Sequence, residues 1–519
     1  MSAFVSDLDT PLLKLSPKDS FTLRDAVQGI LALGGIGSGK TSGTGNAVRQ
    51  AYLRAGMGGL VMVAKPEEIG DWIKAAKENG RAASVILFDE TQGYSFIDYE
   101  FSYHGLDGQG TVVETLMGVS ASADHAAGNG VAGAGEEFWT HTLRQNLNYV
   151  VPAIYIAYGK VTVTNIIDFV TTAATEAEQY ADPQWIEQSY AGRTLKRMVD
   201  SPAMPVEEAK QRELMQYWLY QFPAIPEKTR GNIVITLSSK FDRFRHGRLK
   251  RCFCEKTTIV PEMMFHGAII IMCMPVMTWK EDGIIGQQLF LHAAERAIEA
   301  RNGLDRQHQL RPVFLYADEC HYFVTEKDEA FLSTCRGSRA CPVFLTQTLP
   351  TLYARMGHTK TAAAQGLIGK FGTLVCHQNA CHETNEYVSK VIGRDIHQRK
   401  NESRGIGSNS SFGTSSGTSV SMGNSSSMSF GGGSPSHTTG RNTSSGWSDG
   451  RSSSSGSSEN WSQGTSEQMD NIIEPAFFAR NLKSGGPRNG GIVTAVWFKA
   501  GASFHHGGGR NFMVAEFKQ

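Results

Sequence analysis

The stretch Gly34-Gly35-Ile36-Gly37-Ser38-Gly39-Lys40-Thr41 has the spacing G-x-x-x-x-G-K-[ST] and follows a short apolar run, Ile30 to Leu33. In a strand–loop–helix setting each residue type has a job. Glycines let the backbone curl so that successive N–H groups point inward at phosphate oxygens. The start of the following helix adds free donors and a positive dipole end. Lys40 would reach the β- and γ-phosphates, and Thr41 would put its hydroxyl on Mg²⁺. Gly34, Gly35, Ile36, Gly37, Ser38, Gly39, Lys40 and Thr41 are therefore the expected nucleotide-binding residues.

A phosphate loop of this kind needs an acidic partner on another strand. Val313-Phe314-Leu315-Tyr316-Ala317-Asp318-Glu319 is an apolar strand ending in two carboxylates. Asp318 is expected to hold Mg²⁺, and Glu319 to orient and polarise an attacking water. Gln347 ends the next strand-like run, Val343 to Thr346, where an amide can sense a γ-phosphate. Between the two runs, Arg336 sits in STCRGSR, where an arginine can stabilise charge on a neighbouring subunit's nucleotide. His321 is expected in the wall of the same site.

The elements that must position these residues alternate in type. Short apolar runs at Ile30–Leu33, Gly59–Ala64, Ala83–Asp89, Gly267–Pro275, Val313–Asp318, Val343–Thr346 and Thr373–His377 read as buried strands of a parallel α/β sheet. From about residue 111 to 230 the spacing becomes helical, which predicts an all-α insertion. Residues 404–466 are dominated by Ser and Gly and are expected to form a disordered or loosely ordered loop. The expected division is an arm (1–20), a nucleotide-binding part (21–110), the insertion (111–230), a second nucleotide-binding part (231–403), the Ser/Gly loop (404–466) and closing strands (467–519).

Composition narrows the setting. The chain has 519 residues, and its 50 Lys+Arg balance 50 Asp+Glu, so any nucleic-acid contact must be a local patch or a surface made by assembly. Lys240–Arg251 is the densest basic run and is interleaved with Phe, but it also reads as a solvated connector. Eight scattered cysteines and a polar start predict reduced thiols in a cytoplasmic protein. The longest apolar run falls well short of the ~20 residues a membrane span needs.

Taken together, GGIGSGKT, LYADE, STCRGSR and VFLTQ resemble the HerA/FtsK superfamily of hexameric motors, and most of all the TraG-type coupling proteins of conjugation and type IV secretion. The resemblance implies a RecA-like P-loop NTPase domain in a homohexameric ring that hydrolyses ATP with Mg²⁺. It implies movement of DNA, single-stranded if conjugation is served, with a relaxase or secretion-channel proteins as partners. Any membrane association would be peripheral and partner-supplied. It carries Lys40, Thr41, Asp318, Glu319 and Gln347 over in the roles above, Arg336 as the trans finger, and Arg339 as second choice. One departure is Val63-Ala64-Lys65-Pro66-Glu67, where the family usually has an Asp before Pro-Lys. A HerA-like DNA-processing ATPase of repair or defence, and a nucleotide-switched docking protein of a secretion system, are the alternatives.

Overall fold

Runs of four to seven apolar or β-branched residues, too short for stable helices, become the core of one nine-stranded sheet in a computed structural model of the chain. Residues 3–126, 134–357, 361–413, 422–429, 436–443 and 452–519 are described. The strands are β1 (Ile30–Leu33), β2 (Gly58–Met62), β3 (Val85–Phe88), β4 (Ile269–Met272), β5 (Val313–Ala317), β6 (Ala340–Thr346), β7 (Thr373–His377), β8 (Ile492–Lys499) and β9 (Phe512–Lys518). Their spatial order is β9-β8-β7-β1-β6-β5-β2-β4-β3. All neighbours from β7 to β3 are parallel; β8 pairs antiparallel with both β7 and β9. The sheet is the α/β, P-loop NTPase type that the sequence predicts.

Register does the positioning. Leu33 is level with Thr346 on one side and Cys376 on the other, and Ala317 is level with Phe344. The residues just past those positions, Gly34, Gln347, His377 and Asp318, therefore meet along the carboxyl edge of the sheet.

Helices α1 (Asn46–Arg54) and α2 (Pro66–Glu78) follow β1 and β2. They dock through Trp72, whose ring stacks on Phe314 at 5.4 Å and meets Tyr316 edge-on, with the Arg49 guanidinium on its other side at 5.6 Å. A buried aromatic of this size contributes enough that truncation to Ala would cost about 3–5 kcal/mol. Between β3 and β4 every described element from Phe96 to Phe253 is a helix, among them α3 (Gln109–Ala126) and α4 (Ala134–Tyr158). The helices start before residue 111 and run past 230, because Phe96–His104 and Gly247–Phe253 are too short for periodicity to reveal. After β4 comes the long core helix α5 (Glu281–Ala300), and after β5 comes α6 (Lys327–Thr334). Buried Gln287 on α5 clips the end of β2. It accepts from Val63 N at 2.7 Å and donates to Val63 O at 3.0 Å and Met274 O at 2.8 Å.

Residues Met1–Asn385 and Ala476–Gln519 make one compact unit, and Glu386–Pro475 a second. The second contains the Ser/Gly stretch 404–466, expected as a disordered or loosely ordered loop. Its described residues include a ribbon of Arg394–Gly413 against Ser452–Asn471, and a hairpin of Met422–Ser429 against Ser436–Thr443. Antiparallel pairing satisfies backbone groups without needing side chains to bury, so a Ser/Gly composition does not exclude it. The rest of that loop lies outside the described residues. Among the described residues no single helix is long and apolar enough to cross a membrane.

Candidate nucleotide site

The loop after β1 is built for close approach. Gly37 and Gly39 have φ of +72° and +83°, where side chains are strained. A Cβ on Gly39 would also stand 2.6 Å from Val493 of β8, and one on Gly34 would stand 2.5 Å from Ser38 Oγ. The chain then turns directly into helix, wound as a wide π-type turn over Thr41–Gly45 before α1.

Five of the predicted side chains converge. Lys40 Nζ lies 3.3 Å from Glu319 Oε1 and 3.6 Å from Asp318 Oδ1. Thr41 Oγ1 donates to Asp318 Oδ2 at 2.5 Å. Gln347 Nε2 donates to Glu319 Oε1 at 3.1 Å. Glu319 is held in the left-handed region (φ +50°), a strained setting that is common where function fixes a side chain. Burial works to raise the Glu319 carboxyl, but the Lys40 charge and the Gln347 amide outweigh it and hold it below the ordinary carboxylate range. It is an anion at neutral pH. His321, whose Nδ1 is 3.7 Å from Glu319 Oε2, is pushed down to about 4 by burial and is neutral there.

These residues open onto a cavity of about 1220 Å³, lined by the loop from Gly35 to Thr41 and by Glu319, His321 and Gln347. The loop glycines, Lys40 and Thr41 stand where the sequence places them. Arg336 does not reach the cavity. It is exposed and precedes β6, whose other end carries Gln347, so it stands at the amino edge of the sheet. Arg339 is engaged internally, donating to the Ser6 and Leu310 carbonyls at 2.6 and 3.1 Å.

Several residues at the site escape sequence reasoning. Lys65 Nζ approaches Glu319 Oε1 to 4.0 Å, at the point where the family motif differs. Glu68, one turn on, accepts from Ala64 N at 2.9 Å, and burial beside Asp318 raises its carboxyl to about 7. His377 lies beneath the loop with Nε2 2.8 Å from Thr44 Oγ1, and burial lowers it to about 3. Tyr322 and Arg355 add a cation–π pair to the cavity wall. The signal for His377 was register: it ends the strand beside β1. The others are brought in by folding alone.

With this geometry in view, residues 312–430 match a family described as the TraM recognition site of TraD and TraG. Solved structures of the plasmid coupling protein TrwB superpose over 99% of this chain. The unbound form gives a TM-score of 0.53 at 12% identity, covering 89% of that chain. The complex with a non-hydrolysable ATP analogue gives 0.53 at 13%, and the complex with ADP and Mg²⁺ gives 0.53 at 12%, each covering 90% of that chain. The fold is that of the plasmid coupling protein TrwB. No curated protein matches the chain by sequence. The superposition covers the helical segment and the closing strands as well as the sheet.

The basic run reads differently once placed. Arg243 pairs with Glu281 and, at 2.9 Å, with Asp282. Arg245 faces Asp168 at 3.6 Å. Arg248 pairs with Glu90 at 3.1 Å and stacks on Trp279, and Arg251 pairs with the same Glu90. These four arginines tie the connector to the rest of the unit.

Proposed function

We propose that this chain is an ATP-driven motor that assembles as a homohexamer and translocates DNA, in the manner of the coupling proteins of conjugative transfer and type IV secretion. Glu319 carries this reading. It is an ionised carboxylate on a strained backbone, held by Lys40 and Gln347 in the wall of a glycine-lined cavity.

The residues fit a nucleotide with Mg²⁺. The glycine loop leaves room for phosphate oxygens, and Ser38 Oγ is buried there without a hydrogen-bond partner. Thr41 and Asp318 would hold the metal ion, which neutralises phosphate charge when bound. Lys40 would bind the β- and γ-phosphate oxygens and stabilise charge on them as the terminal bond breaks. Glu319 would orient the attacking water and accept its proton, and Gln347 would fix the carboxylate that does so. Arg336 stands too far from its own cavity to act there, which favours delivery to a neighbouring subunit.

Single-stranded DNA is the expected polymer, with a relaxase or channel proteins as partners. The family match over residues 312–430 supports docking of a partner on that segment. ATP hydrolysis measured at several protein concentrations, with and without single- and double-stranded DNA, tests the reading. A rate that climbs with both, and collapses in Arg336→Ala while nucleotide still binds, fits the ring motor. A rate indifferent to both points to a nucleotide-switched docking protein.

A further inference from the structure

Away from the nucleotide cavity, α5 and α6 bring together three side chains that nothing in the ATPase reading uses. His292, Glu295 and Asp328 each offer a ligand atom, and the three atoms lie within 4.8 Å of one another. His292 Nδ1 is 3.2 Å from Glu295 Oε2. Asp328 Oδ2 accepts from Thr325 N and Oγ1 at 2.6 and 2.8 Å, which fixes the carboxyl in place. His292 and Glu295 open onto a cavity of about 230 Å³, between α5, α6 and the α3 residues Glu114, Thr115, Gly118 and Val119.

Two buried oxygens make this more than a group of acids. Asp328 is fully buried and Glu295 is 5% exposed, yet Asp328 Oδ1 and Glu295 Oε1 have no hydrogen-bond donor from outside the pair. Leaving such a group without a partner costs about 1–3 kcal/mol, and more when it is charged. Two carboxylates cannot both ionise in such a place unless a positive charge joins them. Burial pushes both carboxyls upward, Glu295 to about 7 and Asp328 with the Glu295 charge adding to it, and burial pushes His292 down so that it is a neutral imidazole. Neutral imidazole with two converging carboxylates is a ligand set for a divalent transition ion, not for Mg²⁺ or Ca²⁺, which prefer oxygen alone.

We propose that His292, Glu295 and Asp328 form a binding site for one Zn²⁺ ion, whose remaining coordination positions face the small cavity. The ion would staple α5 to α6, the helix that follows the Asp318–Glu319 strand. Two cations also line the cavity. Arg296 is turned to Glu100 at 2.5 Å, whereas Lys327 faces the site. Its charge opposes a metal ion, so Lys327→Ala should tighten binding.

The test uses the full-length protein without nucleotide, stripped with chelator and dialysed against Zn²⁺. One equivalent should be retained by wild type and by Asp318→Asn, and lost in His292→Gln and Asp328→Asn. Co²⁺ should give ligand-field absorption in the same two proteins only. Zn²⁺ should raise the melting temperature of wild type and leave that of Glu295→Gln unchanged, which keeps the test open if Asp328→Asn fails to fold. Absence of stoichiometric Zn²⁺ in wild type, or Zn²⁺ lost with Asp318→Asn but kept in Asp328→Asn, would overturn the proposal and leave the cluster as a proton-sharing carboxyl pair.

Discussion

Lys40 Nζ and Glu319 Oε1 stand 3.3 Å apart, both deeply buried, although 279 positions separate them in the chain. Removing either partner strands the other charge, and breaking a buried pair this way costs about 3–5 kcal/mol. The two variants should nevertheless fail differently. Glu319→Gln keeps size and hydrogen bonding but removes the base, so nucleotide should still bind while hydrolysis falls by about 10²–10⁴-fold. Lys40→Ala removes the phosphate ligand, so binding itself should be lost. A fluorescent nucleotide titration beside a phosphate-release assay separates the two. Equal loss of binding in both would show that Glu319 serves only to hold Lys40.

Gly39 tests the loop without touching a charge. Ala there meets both a left-handed backbone and Val493 at 2.6 Å. The conformational part alone is worth about 1–2 kcal/mol, so Gly39→Ala should weaken nucleotide binding by at least tenfold. Adding Val493→Ala removes the contacting methyl groups but not the backbone strain, so the double variant should recover binding only in part. Full recovery would mean that the positive φ at Gly39 carries no strain.

Much of this site was legible in the sequence because phosphate chemistry fixes residue types at fixed spacing. Gly34 to Thr41, Asp318, Glu319 and Gln347 come from local runs whose strands are fully buried, and such runs announce themselves. Lys65, Glu68 and His377 carry no local signature. His377 ends its strand after Cys376, and register places it under Thr44. Gln287 clips β2 from more than two hundred residues away. The strand pairing at the ends of the Ser/Gly stretch was not legible either, since hydrogen bonding there is carried by backbone.

His377 makes stability depend on pH. In the unfolded chain its imidazole takes a proton near pH 6.5, whereas the buried ring takes one only at about 3. Below pH 6.5 the unfolded state therefore binds more protons, and stability falls as pH drops through that window. Glu68 and Glu295, both raised to about 7, work the other way, since the folded state then holds the protons. The clean readout is a difference. The stability gap between wild type and His377→Gln should shrink by about 1.4 kcal/mol for each pH unit below 6.5. Denaturant titrations at several pH values would show it, and a constant gap would mean that the ring charges without penalty.

Arg336 stands at the opposite end of β6 from Gln347, roughly 20 Å or more along a strand of this length. In Arg336→Ala, folding and nucleotide affinity should match wild type, while hydrolysis falls by about 10³-fold or more if the arginine acts across a subunit boundary. Mixing supplies the decisive check. Lys40→Ala subunits keep their arginine, and Arg336→Ala subunits keep their pocket, so mixed rings should regain activity that neither shows alone. Mixtures that stay inactive would remove Arg336 from the role.

The arginines of the basic connector already have acidic partners, which sets an expectation for DNA. Arg248 lies 3.1 Å from Glu90 with its guanidinium 4.9 Å from the Trp279 ring, and Arg245 faces Asp168. An arginine that neutralises a carboxylate releases no counterion from a phosphate backbone, so it contributes little to the salt dependence of DNA binding. The double variant Arg245→Glu/Arg248→Glu should leave DNA affinity and its salt slope unchanged. It should lower stability by ~1 kcal/mol or less for each exposed pair lost, with added repulsion at Glu90. Affinity measured across a salt series, beside thermal melting, decides between the two roles. A salt slope that drops by about two would mean that both arginines leave their carboxylates to contact phosphates.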